Sequence, residues 1–167
     1  MVLQEVFPLE CIKVDLEAED KDEAFEELVD VFCQSPAMSG TPIKAGITNV
    51  RDELLAAIKT REAKMSTGIH NGIGVPHGST DAVDSVCGVV GISRKGIDYD
   101  ALDGEPVYLL FMIFAPNEDK ETPLKILKRI AELLEDSQFY NDLRAQKDAQ
   151  SVYRVIGNYD NMQDALS

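Results

Sequence analysis

Residues Cys11 to Leu16 alternate apolar and polar side chains, the period-two pattern of a strand with one buried face. The period then changes. Phe25, Leu28, Val29 and Phe32 recur at intervals of three and four, which predicts a helix, and Asp20 with Glu23 resembles its N-terminal cap. Pro36, Gly40, Pro42 and Gly46 break any period between Ser35 and Gly46, so this stretch is expected to be a loop, either an insertion or a mobile segment. Thr48 or Asn49 can cap a second helix whose inner face is Val50, Leu54, Ala57 and Ile58, and which ends near Arg61 and Glu62. Ile73 to Val75 reads as a short strand leading into Pro76 and His77. Val86 to Ile92 and Val107 to Phe114 are rich in β-branched and aromatic residues and predict buried strands, with Ile97 to Tyr99 as a brief edge strand between them.

Thr122-Pro123 marks a helix start, because a proline in the first turn loses no hydrogen bond, and Leu127, Ile130, Ala131 and Leu134 continue that helix. Phe139 to Leu143 and Asp148 to Ile156 predict further helical pieces. Residues after Gly157 read as a frayed tail. The order of elements, with no repeat or low-complexity segment, predicts an α/β chain in which a mixed sheet is covered by helices. One domain over residues 1–160 with a tail over 161–167 is the expected division.

Composition narrows the function. With 44% apolar and 28% charged residues the chain is an ordinary globular one, and the longest strongly apolar run, Val107 to Ala115, is too short to span a bilayer. No basic region followed by an apolar core opens the sequence, so no secretory signal is expected. Cys11, Cys33 and Cys87 are odd in number and form no CxxC pair, which points to reduced thiols and a cytoplasmic setting. A net charge of −14 argues against nucleic acid as a partner. The first thirty residues hold eleven acids against Lys13 and Lys21, a solvated helix face or an acidic docking surface for a basic protein.

The candidate chemistry is concentrated between Arg61 and Thr80, which read REAKMSTGIHNGIGVPHGST. A neutral imidazole is a good nucleophile near neutral pH and can carry a phosphoryl group, which makes His77 the candidate acceptor. Glycines let main-chain N–H groups approach phosphate oxygens, so Gly68, Gly72, Gly74 and Gly78 are candidate cradle positions. Ser66, Thr67 and Ser79 add hydroxyl donors, and Arg61 supplies a planar cationic clamp. Pro76 holds Val75 extended and presents His77 from a stiff strand end. Read singly, His77 could be a turn histidine and the glycines could mark tight turns. GxGxxG opening a helix, GxxxxGK[ST], HExxH and GxSxG are all missing, which disfavours dinucleotide, P-loop nucleotide, metalloprotease and serine-hydrolase chemistry. His70 and His77 lack sequence partners to complete a metal site, so neither metal nor cofactor is expected.

Arg61-Glu62, Ser66-Thr67-Gly68 and Asn71-Gly72-Ile73-Gly74-Val75-Pro76-His77-Gly78 resemble the signature of the enzyme IIA domain of the fructose/mannitol class of the bacterial phosphotransferase system. The chain looks especially like the stand-alone nitrogen-regulatory members. The resemblance runs from the first strand to roughly Ile156 and takes in Asp103, Pro106-Val107, Phe114-Ala115-Pro116 and the helix Leu124 to Leu134. It implies a three-layer α/β/α sandwich of the mannitol type and a phosphotransferase role. His77 would receive a phosphoryl group from the phosphohistidine of the carrier HPr through Nε2, with Nδ1 held by a backbone group. A IIB domain or a regulatory target would follow. Members of the family usually carry a second histidine just before the leucine that opens the helix after the Ala-Pro loop; here Pro123 precedes Leu124. His70 stands where the family commonly has glycine, and is read either as a helper replacing that imidazole or as an exposed loop residue. The chain has no IIB or IIC segment, which favours a regulatory branch. A regulatory binding protein that passes its phosphoryl group to nobody, and a IIA component of sugar uptake with separate IIB and IIC partners, are the alternatives.

Overall fold

A computed structural model of the chain describes residues 2–36, 38, 46–68 and 70–166. Of the loop expected over 35–46, residues 37 and 39–45 therefore lie outside the described residues. Two long antiparallel strands form the centre, β4 (Cys87–Ile97) and β5 (Val107–Ala115), with Val89 opposite Met112 and Gly91 opposite Leu110. The short β1 (Ile12–Lys13) runs parallel to β4 on one side. On the other side β2 (Ile73–Gly74) and β3 (His77–Ser79) follow one another along β5, both parallel to it. The sheet is mixed, as expected. Ile97 to Tyr99 is not a separate strand: β4 resumes its pairing at Ile97, opposite Val107, after an irregularity beyond Ile92 where Gly96 takes a left-handed φ of +91°.

Alternate residues of the two central strands enter two cores. Val89, Leu110, Met112 and Phe114 pack with Phe25, Leu28, Val29 and Phe32 of α2 (Lys21–Gln34) and with Leu54, Leu55 and Ile58 of α3 (Val50–Glu62). Val90, Ile92, Leu109, Phe111 and Ile113 face the other way. They meet Leu3 of α1 (Leu3–Val6), Ile126, Ile130 and Leu133 of α4 (Thr122–Leu134), Phe139 and Leu143 of α5 (Ser137–Ala145), and Val152 and Ile156 of α6 (Ala149–Leu166). A strand buried on both faces must be apolar throughout, and all of β5 is buried except half-buried Tyr108. The helices thus cover both faces in a three-layer α/β/α sandwich.

The helix caps follow the sequence. Asp20 accepts from the Glu23 N–H at 2.9 Å, and Asn49 from the Asp52 N–H at 3.2 Å. Glu23 reaches back to the N–H of Glu19. In α4 the inward face is Ile126, Ile130 and Leu133, while Ala131 is exposed.

The frayed tail expected after Gly157 is instead helical to Leu166. Asp160 is 2% exposed and receives Arg129 Nη1 of α4 at 2.7 Å and the N–H of Leu3 at 2.7 Å. Gly157 lies against the Gln4 side chain, where a Cβ would stand 2.3 Å from Nε2. A buried carboxylate is tolerated only when paired and hydrogen-bonded, and here its partners tie α6 to α4 and to the N-terminal turn. Among the described residues no helix is long and apolar enough to cross a membrane.

Candidate active site

His77 opens β3, and its position follows from two neighbours in the sheet and one helix. Its Cα pairs with Ile113 of β5, and the Ile113 N–H donates to the Pro76 carbonyl at 2.9 Å. Behind β3 lies α3. Gly78 permits the approach, because a Cβ there would stand 2.6 Å from the carbonyl carbon and oxygen of Ala57. Ala57, Thr60 and Arg61 stand at three- and four-residue intervals on one face of α3 as it runs past the histidine, and Lys64 follows in the turn after the helix, its N–H donating to the Arg61 carbonyl at 3.2 Å. Together with His77, Gly78 and Ser79 they line a cavity of about 280 Å³.

A second cavity, about 310 Å³, shares His77, Gly78 and Ser79. Ile113, Ala115, Leu124 and Leu127 give it an apolar wall, and Asp119, Lys120 and Pro123 complete it. The Asp119 carboxylate accepts from the Thr122 N–H at 3.0 Å, which holds it below the usual carboxylate range and ties it to the start of α4. A larger cavity of about 690 Å³ adjoins the first at Ala57, Thr60 and Ser79. Glu53, Asp81 and Glu118 line it without His77, a charge balance that suits an anion poorly. The three cations Arg61, Lys64 and Lys120 flank His77 in a chain whose net charge is −14. Against the single carboxylate of Asp119 in the same two cavities, they give His77 locally positive surroundings that suit an anion.

The imidazole is half-buried, and its Nδ1 lies 2.8 Å from the Val75 carbonyl oxygen. A carbonyl can only accept, so Nδ1 carries the hydrogen and the neutral ring keeps its lone pair on Nε2. Burial is the main cause that lowers the His77 pKa below the ordinary histidine value; the Arg61 charge acts in the same direction and the Val75 carbonyl against it. The ring is therefore neutral, hence nucleophilic, at neutral pH. Arg61 reaches the Met65 carbonyl through Nη1 at 2.8 Å while lining the cavity.

Other residues of the glycine-rich stretch are placed differently from the phosphate cradle expected. Thr67 is buried, and both its N–H and its hydroxyl bond the Glu62 carboxylate, at 2.9–3.0 Å. Its donors are spent. Gly74 lies under Leu110 and the Tyr99 ring, and Gly68 is also covered by that ring. Gly72 turns the chain at φ +79° beside Tyr108 and Tyr140, and its carbonyl accepts from the N–H groups of Tyr108 and Leu109. These glycines serve close packing of aromatic rings. Ser66 accepts from the Gly68 N–H at 3.2 Å. Only Gly78 and Ser79 of the expected cradle line the cavities with His77 and Arg61.

His70 is exposed and lines neither cavity. Ile73 pairs with Leu109 and His77 with Ile113, so at the strand rise of ~3.3 Å per residue they are ~13 Å apart along β5, with His70 before Ile73. The structure does not bring His70 to His77. Pro123, by contrast, lines the second cavity with His77. Lys64 and Lys120 escaped the sequence reading, although Lys64 follows Arg61 at helical spacing and could have been found by continuing the Ala57 face. Among the described residues no group of three or more histidine, cysteine or acidic side chains converges to hold a metal ion.

Comparison with known proteins converges on one family. The model described as "Phosphoenolpyruvate-dependent sugar phosphotransferase system, EIIA 2" matches residues 5–159. The fructose-specific EIIA component of Haloferax volcanii is 34% identical over 151 residues, covering 90% of this chain and 92% of that one. The fructose-specific EIIABC component of Bacillus subtilis is 32% identical over 160 residues, 96% of this chain, which spans only 24% of the length of that relative. Among solved structures, the nitrogen regulatory protein IIA-Ntr from Neisseria meningitidis superimposes with a TM-score of 0.79 at 25% identity, over 92% of this chain and 98% of that one. The IIA mannitol protein of Escherichia coli shares the fold, with a TM-score of 0.68 at 19% identity over 88% of this chain and 96% of that one.

Proposed function

The chain belongs to the EIIA 2 family of the phosphoenolpyruvate-dependent sugar phosphotransferase system, and from that premise we propose that His77 is its phosphoryl acceptor. The observation that carries this reading is the hydrogen bond from His77 Nδ1 to the Val75 carbonyl, which leaves Nε2 as the nucleophile beside Arg61, Lys64 and Lys120. The donor is the phosphohistidine of an HPr-like carrier. The Nε2 lone pair attacks phosphorus, a P–Nε2 bond forms, and the donor P–N bond breaks with its electron pair returning to the donor ring. No proton has to cross during the step. The His77 ring becomes cationic as Nε2 is phosphorylated, and the Val75 carbonyl faces the N–H that shares this charge. Arg61 and the two lysines meet the charge on the equatorial oxygens. The donor is itself a phosphoramidate, so the transfer uses neither nucleotide nor metal, and it takes place in the cytoplasm.

We place the protein in the regulatory, nitrogen-type branch, with the likeness to IIA-Ntr in its favour. The second reading, a IIA component of fructose-class uptake, is favoured by the near full-length match to a fructose-specific EIIA component. Pro123 occupies the wall of the His77 cavity and donates no hydrogen bond, which favours slower onward transfer in either branch.

Incubation with enzyme I, HPr and phosphoenolpyruvate tests the proposal. The intact protein is expected to gain the acid-labile mass of one phosphoryl group, and His77→Ala to gain none. An unmodified wild-type mass refutes the carrier role. Transfer from the charged protein to a fructose-class IIB domain selects the uptake branch; retention of the group selects the regulatory one.

A further inference from the structure

Glu62 follows the arginine of the site in sequence but points away from it, into the protein. It is 8% exposed, and its two carboxylate oxygens accept from the Thr67 N–H at 3.0 and 2.9 Å and from the Thr67 hydroxyl at 3.0 Å. Lys21 Nζ stands 3.9 Å away and also lies over the Tyr99 ring, 5.5 Å from its centroid. The Thr67 hydroxyl gives its hydrogen to Glu62, so the Tyr99 hydroxyl, 2.7 Å from it, is the donor of that bond. A buried carboxylate left without these donors is strongly unfavourable, so the cluster holds Thr67 in one place.

Thr67 is two hydrogen bonds from the candidate nucleophile. Its carbonyl accepts from the Val75 N–H at 3.0 Å, and the Val75 carbonyl accepts from His77 Nδ1 at 2.8 Å. The Tyr99 ring closes over the same connection from the side. A Cβ at Gly68 would stand 2.6 Å from Tyr99 Cδ1, and one at Gly74 would stand 3.2 Å from Tyr99 Cζ; these two glycines face each other across a bridge. Two of the motif glycines thus admit the ring that clamps the Thr67–Val75 link.

We infer that Glu62, Thr67 and Tyr99 are positioning residues that fix the Val75 carbonyl and through it the Nδ1–H tautomer and orientation of His77. The consequence for phosphoryl acceptance rests on His77 being the acceptor, whereas the effect on the tautomer does not. None of the three touches the reacting atoms. A network that merely stabilised the fold would change melting without changing which ring nitrogen bears the proton.

The test combines ¹⁵N NMR of the His77 imidazole with the rate of phosphoryl uptake from phosphorylated HPr, in wild type, Tyr99→Phe, Thr67→Val and Thr67→Ser. Wild type is expected to hold the Nδ1–H tautomer once the ring is neutral. Tyr99→Phe and Thr67→Val are expected to populate Nε2–H and to lose uptake rate by about tenfold or more, with half-saturation for HPr unchanged. Thr67→Ser, which keeps the hydroxyl, restores both. Tyr99→Phe removes a single oxygen and keeps the ring, so it reports even if Thr67→Val fails to fold. An Nδ1–H tautomer unchanged in folded Tyr99→Phe overturns the inference, whatever the rate does. If wild type takes up no phosphoryl group and the tautomer still shifts in the variants, the carrier role falls and the positioning network stands.

Discussion

Replacing Gly78 by alanine separates helix from strand at the site without touching a reacting group. The added Cβ would lie 2.6 Å from both the carbonyl carbon and the carbonyl oxygen of Ala57, whereas ordinary contact begins at 3.4 Å, so α3 has to withdraw by about 0.8 Å. β3 cannot yield easily, because Gly78 and its neighbours His77 and Ser79 are paired with Phe114, Ile113 and Ala115 of the central strand. The displacement is carried by the helix to Arg61, one turn beyond Ala57, and from there to Lys64 in the turn that follows α3. Overpacking of this kind costs about 1–3 kcal/mol, and an ångström-scale displacement of a catalytic group lowers rates by up to roughly 100-fold. Gly78→Ala is therefore expected to slow uptake from phosphorylated HPr by roughly 10- to 100-fold, measured by quenched intact mass. It is also expected to lower the melting midpoint by about 2–4 °C per kcal/mol lost. Adding Ala57→Gly to this variant rescues little, since the two nearest atoms are main chain. A Gly78→Ala protein with the wild-type rate and midpoint refutes the idea that this glycine sets the distance between Arg61 and His77.

Burial sets the His77 pKa below about 6.5, so the uptake rate is expected to stay level from pH 8 to about 6.5 and to fall only as the ring protonates further down. The linked stability has the same sign: it is complete above the unfolded histidine value and is lost as pH falls toward the folded one, which melts across pH 5–8 will follow. Arg61→Ala removes a repelling charge and raises the NMR midpoint of His77; a midpoint that falls contradicts the electrostatic reading. Asp160→Ala leaves Arg129 and the Leu3 N–H without their buried partner and is expected to cost about 3 kcal/mol in urea unfolding. The cost is at the low end for a broken buried pair because Asp164 still holds Arg129 Nη2. Pro123→His places an imidazole in the cavity wall and is expected to lengthen the lifetime of the phosphorylated protein, followed by the decay of its intact mass.

How far the sequence could be read depended on whether a signal was local. The helix caps at Asp20 and Asn49 and the face Phe25, Leu28, Val29, Phe32 lie within a few residues of one another, and they form as expected. β5 declares itself by unbroken apolarity. The two-residue strands β1 and β2 have no local signature of their length, since their ends are set by pairing with β4 and β5. The end of α6 depends on Arg129 and Leu3, both remote in sequence, so Gly157 gave a misleading stop. The motif around His77 was legible, but the duties within it were not. Whether a glycine faces a ligand or an aromatic ring depends on Tyr99, Tyr108 and Tyr140, which the fold brings from elsewhere. Glu62 and Thr67 stand in the motif, but their burial was hidden, because polar residues give no periodic sign of it. Lys120 comes to line the His77 cavity through the loop between β5 and α4.

Phosphoryl acceptance by His77 can be observed at one atom. Protein with ¹⁵N-labelled histidine, phosphorylated through HPr, should show ³¹P–¹⁵N coupling to Nε2 of His77, with Nδ1 still bearing its proton toward Val75. Phosphorus coupled to Nδ1, or carried on any residue other than His77, would contradict it.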